Sequence, residues 1–144
     1  MQSKRPQDQI YMNMTIELSK LSKCNRKKVG CLIVKDTQII SEGVNGGLIG
    51  GSNCCEDSDG NTKETTIHAE KNALLKVSRK GGVGCNGSDM YVTMAPCIHC
   101  APEIAQSGIK RLIYGEVYRD SSGIDYLKKH TNIEVVFLSS TSYE

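Results

Sequence analysis

The chain has 144 residues, 18 basic and 16 acidic side chains, and a formal net charge of +2. This length fits one globular domain spanning 1–144, and a hydrophobic fraction of 38% argues against disorder. The nearly balanced charge argues against long nucleic acid as a partner. No apolar run reaches the roughly 20 residues that cross a membrane, and the polar start lacks a secretory signal. We therefore expect a cytoplasmic protein with no membrane partner.

The first half of the chain predicts a helix, a hairpin and a long connection. Apolar side chains recur at helical spacing within 8–23, and they are Ile10, Met14, Leu18 and Leu21. Two β-branched runs, 29–34 and 38–44, are separated by a short polar link, which predicts an antiparallel hairpin. Residues 45–66 are rich in Gly, Ser, Asn and Asp. We expect no packed element there, and connections of this length are usually functional.

The second half alternates predicted helices with predicted strands. A helix over 67–79 has a plausible buried face made of Ala69, Ala73, Leu74 and Val77. Further helices are predicted at 96–108 and 121–130, and strands at 89–94, 109–117 and 133–138. This alternation favours right-handed crossovers and parallel strands. The prediction is an α/β fold in which a mixed five-stranded sheet is covered by helices.

Two short motifs carry most of the chemical information. His68 and Glu70 lie two residues apart at the start of a predicted helix, and Cys97 and Cys100 follow a predicted strand. Two thiolates and one imidazole form a tetrahedral zinc site that leaves its fourth position to water. Zinc can lower the pKa of that water from about 15.7 to about 7, and Glu70 could move its proton. H-x-E with P-C-x-x-C is the signature of zinc nucleobase deaminases, so we predict hydrolytic deamination by a zinc-bound hydroxide.

Other interpretations of these motifs exist. A lone C-x-x-C is also typical of redox sites and structural metal sites, and a zinc-stabilised module without catalysis is a further alternative. Both motifs occur in the expected order at predicted helix starts, which favours the catalytic interpretation. His99 is expected to face solvent, since it points away from the face that Cys97 and Cys100 share. Pro102 is expected to bend or shorten the helix that carries the two cysteines.

From about Ser22 to Asp120 the chain resembles the cytidine deaminase superfamily. The resemblance rests on SKCNRKKVGCLIV, ISEGVNGG, HAEKNALL and MYVTMAPCIHCAPEIAQSGIKRLIYGEVYRD. Within the superfamily, S-x-C-x-R-x-x-V-G and G-x-N-G are most similar to the deoxycytidylate deaminases. The resemblance implies a three-layer deaminase-like fold and conversion of dCMP to dUMP and ammonia. The alternative is a zinc deaminase that acts on another nucleoside, a base or tRNA adenosine.

The resemblance also implies roles for individual residues. His68, Cys97 and Cys100 would hold Zn²⁺, and Glu70 would be the proton shuttle. The substrate contacts fall into three groups: Arg26, Lys28 and Tyr118 for the 5′-phosphate, Asn45 for a sugar hydroxyl, and the backbone of Ala69, Ala95 and Pro96 for the pyrimidine edge. Arginine suits the phosphate because its planar fork can meet two oxygens. The alternative for Arg26 and Lys28 is an ordinary solvated turn.

Members of the family resemble one another in being homo-hexamers that dCTP activates and that dTTP inhibits with Mg²⁺. By this resemblance an allosteric site is expected at Gly46, Gly47 and Arg79. Some relatives carry a second, structural zinc on cysteines and histidines. Here Cys24, Cys54 and Cys55 are present, but no histidine lies between Cys24 and His68. We therefore expect buried free thiols instead of a second zinc.

Overall fold

A computed structural model describes residues 4–48, 50–51, 54–82 and 84–139. In chain order the elements are α1 Pro6–Ser19, β1 Gly30–Lys35, β2 Gln38–Val44, α2 Ala69–Lys80, β3 Asp89–Val92, α3 Cys100–Gln106, β4 Arg111–Tyr114, α4 Ser122–His130 and β5 Glu134–Phe137. All predicted helices and strands are confirmed, with boundaries that move by several residues. Among the described residues, no helix is both long and apolar enough to cross a bilayer.

The five strands form one mixed sheet in the order β2-β1-β3-β4-β5. The hairpin β1–β2 is antiparallel, and β1 also pairs antiparallel with β3. β3, β4 and β5 are parallel, as their helical crossovers require. β3 and β4 are buried on both faces, because helices cover each side of the sheet. The predicted mixed sheet, with the hairpin at one side, is confirmed.

The helices divide between the two faces of the sheet and make three layers. α2, α3 and α4 cover one face, over a core that includes Ala73, Ile104 and Leu127. α1 covers the other face, where Met12 packs with Tyr91 and neighbouring strand residues. This arrangement matches the predicted three-layer deaminase-like fold.

The predicted apolar face of α1 is wrong at three of its four positions, and Leu18 alone of the four packs against the core. Ile10, Met14 and Leu21 are 62%, 43% and 67% exposed, and the helix ends before Leu21. The buried positions of α1 are Asp8, Met12 and Thr15. Two of these three residues are polar. Asp8 is buried because it meets a buried arginine of the sheet.

That arginine is Arg111, the first residue of β4. Its guanidinium donates to Asp8 Oδ2 at 2.8 Å and to Asp89 Oδ2 at 3.1 Å. The Tyr91 hydroxyl donates to Asp8 Oδ1 at 2.6 Å. Asp8 and Arg111 are almost completely buried, so the opposite charges compensate each other where water cannot. We name Asp8, Asp89, Tyr91 and Arg111 the amino-end network, because it lies where β3 and β4 begin.

The long connection after β2 contains no helix or named strand in its described parts, 45–48, 50–51 and 54–66, as predicted. It is nevertheless tied to the rest of the molecule. Cys24 and Cys55 form a disulfide, with Cα atoms 5.0 Å apart. The expectation of buried free thiols is therefore wrong for this pair, and Cys54 is exposed instead of buried. A sequence separation of 31 residues gives no sign that the two Cα atoms come so close.

Candidate active site

His68 lies where the long connection meets α2. Backbone hydrogen bonds join Gly46 and Ile67 in both directions, at 3.0 and 2.7 Å, and so fix the residue before His68. β2 approaches the start of α2 closely at Gly43. A Cβ on Gly43 would stand 2.5 Å from Ala69 O, which only a glycine avoids. These contacts hold the imidazole at the amino end of α2.

Cys97 lies in the turn between β3 and α3, and Cys100 is the first residue of α3. Cys97 O accepts hydrogen bonds from Cys100 N at 3.2 Å and Ala101 N at 3.0 Å, which curls the two sulfurs onto one side. α4 supports this turn, because a Cβ on Gly123 would stand 2.7 Å from the Cys97 carbonyl carbon. α3 begins at Cys100 and not at Pro96, and Pro102 falls in its first turn, where a missing N–H is tolerated. The helix is shorter than predicted. Shortening was one of the two effects expected of Pro102, the other being a bend.

The structure brings the three candidate metal ligands together. His68 Nδ1 lies 3.3 Å from Cys100 Sγ and 3.6 Å from Cys97 Sγ. The three donor atoms all lie within 4.8 Å of one another. Two sulfurs and one imidazole nitrogen are the donor set that zinc accepts in catalytic sites. His99 is exposed beside them, as expected.

The three donors influence one another's protonation. A hydrogen bond from Cys100 lowers the pKa of the Cys97 thiol to about 3, and His68 adds to the effect. The hydrogen bond with Cys97, together with burial, raises the pKa of Cys100. The hydrogen bond with Cys97 also raises the pKa of His68. The site therefore stabilises at least one thiolate, the form of cysteine that binds metals.

Glu70 is the second residue of α2 and is 5% exposed. Burial raises the pKa of its carboxyl to about 7, although its own backbone N–H and His68 act in the opposite direction. A carboxyl group with a pKa near the working pH can both accept and return a proton. Glu70 therefore has the protonation behaviour of a general acid-base group.

A cavity of about 170 Å³ opens over these groups, and we name it the site cavity. Ala69, Glu70 and Ala95 are buried residues that line it together, and we call this part its inner end. The resemblance predicted Ala69 and Ala95. The candidate metal ligands His68 and Cys97 also line the cavity. The exposed cations Arg26 and Lys27 mark its outer part, and Asn45, Glu56 and Tyr118 complete the polar lining. Most of the predicted substrate contacts therefore face one cavity.

Lys28 and Pro96 are exceptions, since neither is among the described residues that line the site cavity. Lys28 Nζ turns the other way and donates to Ser22 O at 2.6 Å. Lys27 lines the cavity instead, and its Nζ lies 2.6 Å from a carboxylate oxygen of Glu116. Sequence reasoning missed Lys27 because the run RKK contains no periodicity to show which side chains turn inward.

Asn45 is held by several hydrogen bonds of its own. Its Oδ1 accepts from Ser22 Oγ at 2.7 Å and from Val29 N at 2.9 Å. Its Nδ2 donates one hydrogen to Lys27 O at 2.8 Å. An amide has two such hydrogens, so among the described contacts one N–H is left for a ligand.

A second cavity, of about 460 Å³, lies between the end of α1, the start of the long connection and α2. Gly46, Gly47 and Arg79, the residues predicted for an allosteric site, all line it. Lys23 and Lys76 add two more cations. We name this the cationic groove.

Comparison with known proteins agrees with this geometry. The sequence profile of the cytidine and deoxycytidylate deaminase zinc-binding region matches residues 5–116, which is most of the chain. The chain belongs to this family. The predicted enzyme class, a zinc-binding hydrolytic deaminase, is thereby confirmed.

Individual members of the family show how far the similarity extends. The chain is 36% identical to the deoxycytidylate deaminase of Enterobacteria phage T4 over 160 aligned positions, which cover 82% of each protein. It is 40% identical to ComE operon protein 2 of Bacillus subtilis, but the match spans only 60% of that longer protein. A crystal structure of the dCMP deaminase of cyanophage S-TIM5 with dCMP and dUMP superimposes with a TM-score of 0.85. That match is 37% identical and covers 95% of this chain and 99% of the phage chain.

Proposed function

We propose that this chain hydrolyses dCMP to dUMP and ammonia. The observation that carries the proposal is the site cavity, which is lined by the buried carboxyl of Glu70 and by His68 and Cys97 of the His/Cys/Cys donor set. Two cations, Arg26 and Lys27, stand at its outer part. The donor set and the carboxyl suit the base of a nucleotide that points inward. The two cations suit its phosphate, which would point outward.

His68, Cys97 and Cys100 would hold Zn²⁺, which the donor set fits. When bound, the zinc would supply a Lewis acid that makes water acidic enough to attack at neutral pH. Glu70 takes one proton from the attacking water and gives it to the ring nitrogen N3 of the cytosine as the bond between the water oxygen and C4 forms. It then takes the remaining proton from the C4 hydroxyl and gives it to the amine, so that the bond between C4 and the amine breaks, the C4 carbonyl forms and ammonia leaves.

The outer residues would bind the phosphate and the sugar. Arg26 and Lys27 would contact the 5′-phosphate, with the Tyr118 hydroxyl as a further donor. Lys27 replaces Lys28 in this role because Lys28 points elsewhere. The remaining N–H of Asn45 would donate to a sugar hydroxyl.

Backbone groups would contact the pyrimidine edge. Ala69 and Ala95 line the site cavity at its inner end. The N–H of Ala95 already donates to Glu116 O at 2.9 Å, so its carbonyl is the group left for a ligand. Pro96 has no N–H to donate. We therefore assign base recognition to Ala69 and the Ala95 carbonyl.

Phosphate dependence is the test of this proposal. Ammonia release would be measured with dCMP and with deoxycytidine, which differ only in the phosphate. We expect kcat/KM to favour dCMP by at least about a hundredfold, since charge-assisted hydrogen bonds to a phosphate contribute several kcal/mol. Equal rates on the two substrates would contradict the phosphate role, and no reaction with either would contradict the function.

We also propose nucleotide regulation at the cationic groove. Lys23, Lys76 and Arg79 would face a triphosphate, and the apolar side chains of Leu21, Leu48 and Leu75 would face its base or sugar. The groove shares Asn45 with the site cavity, which gives a direct route between them. We expect dCTP to activate and dTTP with Mg²⁺ to inhibit. Arg79→Gln should abolish both responses while the rate without effector stays within about twofold.

Assembly into a homo-hexamer is the last part of the proposal. The exposed apolar side chains of Ile10 and Met14 lie one turn apart on α1 and would contribute to a surface between copies of the chain. Sedimentation of the purified chain would show six copies per particle. A monomer at micromolar concentration would contradict this part alone.

A further inference from the structure

Glu56 is a buried carboxylate outside the catalytic cluster. It is 8% exposed and lines the site cavity from the side of the long connection. Its oxygens accept from Asn25 N at 3.3 and 3.2 Å and from Arg26 N at 3.2 Å. A loop carboxylate that is buried in this way needs such partners, because an unpaired buried charge is costly.

These partners are backbone groups and not side-chain cations. Among the described residues, no lysine or arginine side chain forms a salt bridge with Glu56. The Arg26 guanidinium has no hydrogen-bond partner in the described part of the chain, although the Arg26 N–H is bound to Glu56. Glu56 thus fixes the backbone of the turn and leaves the guanidinium available to a ligand.

The Glu56 side of this contact is anchored independently. The neighbouring Cys55 is bonded to Cys24, and Cys55 O accepts from Lys63 N at 2.7 Å and from Thr66 Oγ1 at 3.0 Å. Loss of the Glu56 carboxylate would therefore leave the connection in place. The turn is also fixed at both ends, because the disulfide holds Cys24 and Lys27 O accepts from Asn45 Nδ2 at 2.8 Å. Loss of the carboxylate would free the backbone of Asn25 and Arg26 between these two points.

We infer that Glu56 is a positioning residue for phosphate recognition. It holds the backbone of Asn25 and Arg26 so that the side chains of Arg26 and Lys27 face the outer part of the site cavity. This inference rests on the proposed function, since it takes the 5′-phosphate as the group that the turn meets. Glu56 itself does not touch the reacting atoms.

The test compares Glu56→Ala with the unchanged chain on dCMP and on deoxycytidine. We expect KM for dCMP to rise about 10- to 100-fold with kcat within about threefold, because two backbone N–H groups lose a charged acceptor. Deoxycytidine, which carries no phosphate, should be affected much less. Glu56→Gln keeps one acceptor oxygen, so its KM for dCMP should lie between those of Glu56→Ala and the unchanged chain. Glu64→Gln removes an exposed carboxylate of the same connection and is the matched control.

A double-mutant cycle with Arg26→Ala shows whether Glu56 acts through the turn. If it does, Glu56→Ala should add little to KM once Arg26 is absent. Thermal unfolding of each variant would be recorded alongside the kinetics. Equal losses on dCMP and deoxycytidine, or full additivity with Arg26→Ala, would overturn the inference. Failure of the proposed function is a different result, in which the unchanged chain does not prefer dCMP at all.

Discussion

Two groups of ionisable side chains, each with a buried carboxyl, lie at opposite ends of the parallel strands β3 and β4. At the amino ends, Arg111 pairs with Asp8 and Asp89, and opposite charges compensate each other. At the carboxyl ends, Glu70 is buried beside two cysteines and a histidine and no cation pairs with it among the described residues. Ligands of α/β folds bind outside the carboxyl ends of strands. A cluster with compensated charges stabilises the fold, whereas one that lacks compensation is available for chemistry.

The pKa values of the two carboxyl groups express this difference. Burial raises the pKa of both Asp8 and Glu70. For Asp8 the hydrogen bonds from Arg111, Arg5 and Tyr91 outweigh burial, and the pKa is lowered. For Glu70 burial prevails, and the pKa rises to about 7. Similar burial therefore gives opposite results because the partners differ.

The largest expected effect is at the carboxyl-end cluster. Glu70→Gln should lower kcat for dCMP by about 10²- to 10⁴-fold, the usual contribution of general acid-base catalysis. Zinc content should not change, because Glu70 is not one of the three donors. Ammonia release and metal mass spectrometry measure the two quantities. Glu64→Gln, at an exposed position of the long connection, is the control and should stay near the original rate. Unchanged turnover in Glu70→Gln would reject the role of the carboxyl.

The next effect is on stability and comes from the amino-end network. Arg111→Met should lower the free energy of unfolding by about 3–5 kcal/mol, because two buried carboxylates lose their cation. The kcat of the molecules that remain folded should be unchanged. Urea unfolding measures the free energy of unfolding. Active-site titration gives the fraction of folded molecules, by which the measured kcat is corrected. Arg119→Met, at an exposed position, should change stability by less than about 0.5 kcal/mol. A comparably small loss in Arg111→Met would show that the network does not stabilise the fold.

The smallest expected effect is a dependence on pH. Because the pKa of Asp8 is lower in the folded chain, its contribution is complete above the unfolded value of about 3.9 and is lost as pH falls through the folded value. Asp8→Asn should therefore be less stable than the unchanged chain at neutral pH, and the difference should narrow in acid. Urea unfolding at several pH values measures it. A difference that stays constant down to about pH 2 would contradict the lowered pKa.

Sequence reasoning succeeded for the features that neighbouring residues in the chain determine. The hairpin, α2 and the parallel strands follow from periodicity and from glycine positions. The motifs around His68 and Cys97 each lie at a strand or loop end followed by a helix, so their side chains could be expected to meet. The structure does bring them together.

Sequence reasoning failed where a side chain's position is decided by a contact with a residue far away in the chain. The apolar stripe of Ile10 and Met14 predicted the wrong buried face of α1, since the face is chosen by Arg111 about a hundred residues later. Cys24 and Cys55 likewise give no local sign of their bond. Lys27 and Lys28 are neighbours of the same residue type, but the first pairs with Glu116 and the second donates to Ser22 O.

Metal removal tests the central claim most directly. The purified chain would be analysed for zinc, stripped with a chelator, and assayed for ammonia release from dCMP before and after zinc is restored. We expect about one zinc per chain, loss of turnover in parallel with loss of zinc, and recovery on its return. Cys100→Ser should fail to recover. Full turnover by the stripped chain would contradict a metal site at His68, Cys97 and Cys100.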